Sequence, residues 1–300
     1  MTQRSHRWGG VALALAVAVS FAANSTFAGL AYTGGADAMS VFAVRSSAAF
    51  IILFVVLIAR KRSWRLPARQ RNIALGLGVV MAWASYGLLG AMETMPVALC
   101  VIMLYTYPII VAAVGWASGR EPFRARFAVA VAVAFAGLVL ALNLSGTIPN
   151  LTGIGLAVSA AVGVAMLLIV SERARDPADS EAFTLHMLGM CMGLSLAASV
   201  AFGQFALPHT TAAWAGFIAT PLCYSFSIIG MFVALTMIGS LRTSLLMNLE
   251  PVSSVILGYL LLSQSLNATQ LLGVALVIGA IVSIEGGHRV APTEKHRAPS

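Results

Sequence analysis

Residues 246–262 read Leu246-Met-Asn-Leu-Glu250-Pro251-Val-Ser-Ser-Val-Ile-Leu-Gly258-Tyr-Leu-Leu-Leu262, an apolar run interrupted by a carboxylate and a proline. Moved back by 143 positions, the separation of Pro108 from Pro251, it falls on a second such run in which Leu104-Tyr-Thr-Tyr-Pro108 precedes Gly115. Gly115 then meets Gly258. The same offset sets Gly10 on Gly153, Ala14 on Ala157, Val19 on Val162 and Ala91 on Ala234. One Gly or Ala match means nothing in an Ala-rich chain. A constant offset across three helices, with a mid-span proline pair, marks a duplication.

Outward from these two runs the chain is a series of apolar stretches: 8–28, 38–59, 73–92, 96–117, 126–143, 152–171, 182–206, 214–236, 243–262 and 268–286. The composition is 59% hydrophobic and 9% charged, with mean hydropathy +0.91. A soluble domain carries about 25% charged residues, so too few charges are present to cover a water-facing surface. A bilayer span takes roughly 20 apolar residues, and ten spans use about two thirds of the chain. In lipid the backbone must satisfy its own hydrogen bonds, which predicts helices. A barrel strand would alternate in polarity, and Phe127-Ala-Val-Ala-Val-Ala-Val-Ala-Phe135 does not. The expected fold is an all-α integral membrane protein of ten transmembrane helices.

The net charge is +8. Nucleic acid is not the expected partner, because the basic residues sit in loops between spans. Arg4 and Arg7 precede the first span. Arg60, Lys61, Arg62, Arg65, Arg69 and Arg71 follow the second. Arg120, Arg124 and Arg126 follow the fourth, Arg173 and Arg175 the sixth, Arg242 the eighth, and Arg289, Lys295 and Arg297 the tenth. Every second loop is basic and the others hold no Lys or Arg. The positive-inside rule puts both termini in the cytoplasm and the protein in a bacterial inner (plasma) membrane. Residues 4–28 also have the basic start, apolar core and small-residue end of a cleaved signal peptide, but the repeat makes the first span part of the fold.

Five spans per unit is an odd number, so the second unit starts on the opposite side of the membrane. The units are 1–147 and 148–287, related as inverted repeats, with a polar cytoplasmic tail at 288–300 expected to be disordered. Inverted repeats are a recurrent transporter plan, with the site near the midplane between the halves.

The chain resembles the drug/metabolite transporter superfamily, in its EamA-type branch. Three segments carry the resemblance. One runs from Thr94-Met-Pro-Val-Ala-Leu through Leu104-Tyr-Thr-Tyr-Pro108 to Gly119-Arg-Glu121-Pro122; the second is 246–262; the third is Phe42-Ala-Val-Arg45-Ser in span 2. Gln264 stands where the family often has an acid, opposite Glu121 in the repeat, which reads as a lost helix-end contact. The resemblance implies a secondary transporter of small organic metabolites by alternating access, an exporter of amino acids or related compounds. Export of cationic drugs or quaternary amines is the alternative, as is a membrane component without turnover, such as a sensor or scramblase.

Pro108 lies about twelve residues into its span, roughly 18 Å into a core of about 30 Å. An interior proline has no N–H and clashes with the carbonyl four residues back. Paired interruptions at Pro108 and Pro251 point to a midplane site. Helical spacing adds Tyr105 and its repeat partner Asn248, with Trp83 and Tyr86 on span 3, and Tyr224 on the Pro221–Tyr224–Ile228 stripe of span 8. Aromatics with polar tips suit a partly apolar solute. Asn24 and Ser25 in span 1 are further cavity candidates, whereas Trp8, Trp64, Trp116 and Trp214 sit at span ends and read as interface anchors. His186, near the cytoplasmic end of span 7, fits an interfacial role.

Arg45 and Glu250 are ionisable residues inside spans, each requiring a partner or water. For Glu250 three readings stand: a structural ion pair, a contact to a cationic substrate group, and a proton-coupling carboxylate. Continuous helical phase sets it off the Asn248–Pro251 face, which favours the ion pair. Expected partners are a small-molecule substrate, the lipid bilayer and, as coupling ion, protons. No Ser/His/Asp constellation, nucleotide motif or metal-ligand spacing occurs. Neither catalysis, a cofactor nor a metal is expected, and Cys100, Cys191 and Cys223 read as small buried hydrophobes.

Overall fold

Long apolar stretches without strand-like alternation can satisfy their backbones in lipid only as helices, and helices are what the chain forms. The computed structural model describes residues 3–94, 97–119, 125–142, 150–174, 179–203, 205–262 and 267–286. Glu121, Gln264, Arg120, Arg124, Arg175 and the 288–300 tail lie outside these. Eleven helices occur among the described residues: α1 (Gln3–Thr33), α2 (Ala38–Ala59), α3 (Ala68–Thr94), α4 (Val97–Leu104), α5 (Tyr107–Ala117), α6 (Ala125–Ala141), α7 (Leu151–Ala174), α8 (Ser180–Phe202), α9 (Thr211–Leu246), α10 (Leu249–Leu262) and α11 (Ala268–Gly286).

They trace ten spans. α4 and α5 are two pieces of the fourth. α9 carries the eighth and then, past a turn at Gly239 (φ 81°, ψ 168°), the first part of the ninth, which α10 completes. Two spans expected at 214–236 and 243–262 are therefore joined without a loop. Glycine makes this possible, because it adopts positive φ at no steric cost. The Glu172 carboxylate of α7 accepts from the Ser240 backbone N–H (3.1 Å) and hydroxyl (2.5 Å), capping the helical segment that restarts there.

The packing exchanges the two halves. α1 lies on α9 and α10 as α7 lies on α3, α4 and α5; α2 meets α9 as α8 meets α3; α2–α8 and α6–α11 pair across the pseudo-axis. Individual contacts repeat as well. A Cβ placed on Gly230 would stand 2.6 Å from Val17 and 3.6 Å from Leu13; one on Gly87 would stand 3.6 Å from Ala160 and 3.1 Å from the Leu156 carbonyl. All three pairs, 87/230, 13/156 and 17/160, obey the 143-residue offset. Small residues at such crossings let membrane helices approach closely. One turn away the copies diverge. Ser20 donates to the Cys223 carbonyl (3.1 Å) and Ser227 to the Val17 carbonyl (3.4 Å), whereas the equivalent Gly163, Ala84 and Val80 close by bare contact.

The α2–α8 pair is tied at both ends. On the face where α1 begins, Arg60 pairs with Glu181 at 3.4 Å. On the far face, Asp37 caps α2 through the Ser40 N–H (2.5 Å), and its other oxygen accepts from the Ala206 N–H (2.9 Å) beyond α8. These are the same junction turned over: the start of one helix of the pair fastened to the end of the other.

Candidate functional site

Both proline-bearing spans break at equivalent places. Turns at Tyr105–Thr106 and Met247–Asn248 separate α4 from α5 and α9 from α10, and three-residue hydrogen bonds tighten them: Thr106 N–H to Met103 (3.2 Å) and Asn248 N–H to Leu245 (3.1 Å). Pro108 and Pro251 thus sit in the first turn of a new helix, where a missing N–H costs nothing, rather than kinking a continuous one. The Asn248 side-chain amide donates to the Leu245 carbonyl (3.0 Å), serving a backbone acceptor that the break exposes.

The breaks bring three side chains together at the junction of the halves. The Tyr105 hydroxyl hydrogen-bonds the Glu250 carboxylate, and the Tyr107 ring stands 5.6 Å from that of Tyr105 with its phenol also in the field of Glu250. Both tyrosines are buried. Glu250 is enclosed by protein yet keeps accessible surface, so it borders an internal space. Continuous helical phase set Glu250 apart from this face; the turn at 247–248 resets the phase and removes that argument. Tyr107, absent from the expected set, is the repeat partner of Glu250 by the 143-residue offset, and that was a usable signal.

The second charge lies close by. The Arg45 guanidinium sits over the Tyr224 ring at 4.6 Å and near Phe42 at 5.5 Å, and it is within electrostatic range of Glu250. Its Nε is buried with no hydrogen-bond partner among the described residues. Tyr224 is held edge-on by Phe21 (6.2 Å), one turn from Asn24 on α1. Asn24 is 4% exposed and its Oδ1 is also unpartnered among the described residues. A guanidinium on a desolvated ring gains about 2 kcal/mol, while an unmet buried polar group costs about 1–3 kcal/mol. This wall offers both a donor and an acceptor.

A profile of the EamA-like transporter family matches residues 8–143 and again 151–285. The chain belongs to the EamA-like transporter family. Two tandem matches of one profile agree with the repeat and with a multi-pass membrane protein of ten helices. One solved structure, described only as a crystal structure of a protein, superimposes with a TM-score of 0.80 at 14% identity, covering 94% of this chain and 99% of that one; the likeness is one of fold. No curated protein matches.

Not every expected site residue of this EamA-like chain lies at the junction. Trp83 and Tyr86, 47% and 45% exposed, stand apart from Tyr105, in a groove of about 300 Å³ with Met39 and Phe42 of α2 and Leu194 and Phe202 of α8. Ser25 is exposed and hydrogen-bonds its own helix at the Phe21 carbonyl, so it adds nothing to the chamber. His186 bonds the Ala182 carbonyl through Nδ1 (2.9 Å). Cys100 and Cys191 are buried and free. Among the described residues no His, Cys, Asp and Glu group is placed to hold a metal ion.

Proposed function

We propose that this chain exports small zwitterionic metabolites, amino acids or close relatives, across a bacterial inner membrane by alternating access, with both termini in the cytoplasm. The observation that carries the reading is the pairing of opposite charges between the halves. Arg45, planar and unsatisfied at Nε, suits a carboxylate, which it can bind through two parallel bonds. Glu250, held by Tyr105, suits an ammonium group at the other end of the same solute. A quaternary amine would match Glu250 alone and leave Arg45 without a counter-ion, which disfavours the cationic-drug alternative. Glu250 is also the residue for a coupling proton, since loss of its charge changes what the chamber attracts.

The test is flux into liposomes that hold only the purified chain. Counterflow of amino acids, accelerated by a proton gradient, is expected. Absence of flux for every zwitterion tried, with or without the gradient, sinks the reading and leaves a non-transporting membrane component. Reporter fusions at the two ends should both report the cytoplasmic side; opposite readouts would remove the even span count.

A further inference from the structure

The groove beside the junction has a shape of its own. α3 and α8 touch where a Cβ on Gly78 would lie 2.5 Å from the Met187 carbonyl and 2.6 Å from Met190. Beyond that crossing, toward the far face, they leave the groove, with Trp83 and Tyr86 on one wall, Leu194 and Phe202 on the other, and Phe42 in the floor. The pseudo-symmetry supplies an internal control. At the equivalent positions of the α9–α2 seam stand Leu222, Phe226, Ile51 and Val55, all at least half exposed, in place of Val79, Trp83, Leu194 and Ala198. Hydrocarbon is what a lipid-facing seam needs. Trp83 is not a span-end anchor either: it lies eleven residues before the end of α3, about 16 Å along the axis. The groove is therefore not what the scaffold alone calls for. Nor is it separate from the charged site, because the Phe42 ring that floors it is the one 5.5 Å from the Arg45 guanidinium.

We propose that this groove receives the apolar side chain of the transported solute while Arg45, one turn along α2, holds its carboxylate, so that the chain selects amino acids with branched or aromatic side chains. The proposal rests on the zwitterion reading above and adds its specificity. Its volume, about 300 Å³, is at the lower end for small-molecule sites, and its lining is apolar with aromatic walls. Ala82 and Ala198 keep it open; larger residues there would fill it.

The experiment compares kcat/KM for leucine and alanine in counterflow with the full chain in liposomes. A difference of a few methylenes in such a site is expected to favour leucine by about tenfold or more. Ala82→Phe, which narrows the groove, should cut the leucine-to-alanine ratio about tenfold. Trp83→Ala, which widens it, should raise tryptophan relative to leucine. Each ratio comes from one preparation, so poor folding of a variant does not imitate the effect. If amino acids are carried but the ratios are near one, or both variants leave them unchanged, the groove proposal is overturned and the zwitterion reading survives. If the ratios follow the acyl-chain length of the vesicle lipid and not the variant, the groove is a lipid seat and the proposal is likewise overturned. If no amino acid is carried at all, both fall.

Discussion

Arg45 is the one basic residue placed well inside a span, and its surroundings give it a magnitude. A lone arginine at mid-helix costs about 2.5–3.5 kcal/mol on insertion scales, and one desolvated aromatic face returns about 2. The remainder falls to Glu250 and to whatever reaches Nε. Arg45→Lys keeps the charge but loses the planar fork. KM for carboxylate-bearing solutes should therefore rise about tenfold, with kcat less affected, as measured by counterflow. Glu250→Gln should abolish flux driven by a proton gradient and spare exchange; unchanged pH-driven flux would remove the coupling role. Both charges were legible because ionisable residues stand out in apolar runs. Their partners were not. Tyr105 and Glu250 meet only because the helix restarts at Leu249, a local event that no 3.6-residue period records. Trp83 and Tyr86 were grouped with Tyr105 by type, but which helix faces them is set by packing.

Among elements, the crossings decide. A Cβ at Gly216 would fall 2.6 Å from the Phe27 carbonyl oxygen, which is α1 backbone and cannot swing aside. At Gly155 nothing lies within 4 Å. Gly216→Ala is expected to destabilise by about 1–3 kcal/mol through overpacking, seen as a lower Tm in detergent. Gly155→Ala should be neutral or slightly stabilising, as helix propensity favours Ala. Equal Tm values for the two would refute the assignment of α1–α9 as a close crossing. The span limits were well marked where polarity changes, as at α2, expected over 38–59 and found as Ala38–Ala59. They failed at Gly239, because a glycine turn with a side-chain cap needs no polar loop to announce it.

For the molecule as a whole, the two ends of the α2–α8 seam are the places where access can alternate. Arg60–Glu181 fastens one face and Asp37–Ala206 the other. Arg60 is 64% exposed, so its ion pair is worth at most about 1 kcal/mol. That limits Arg60→Ala to a two- to fivefold shift in the ratio of KM values at the two faces, with about the same bound on any opposing shift from Asp37→Asn. Kinetics in inside-out and right-side-out vesicles would read it, and shifts of the same sign would show that the two ties are not counterparts. The ten-span plan itself was legible from the Pro108–Pro251 offset and the alternation of basic loops, since both are properties of the whole chain.

Arg45 comes from the first repeat and Glu250 from the second, and the position matching Glu250 in the first repeat is Tyr107. A chimera carrying the first unit twice would set arginine against arginine with two phenols and no acid. One carrying the second unit twice would set acid against acid. Whatever homodimeric ancestor the duplication began from, its descendants have divided the labour of charge between them, and neither copy is now exchangeable for the other.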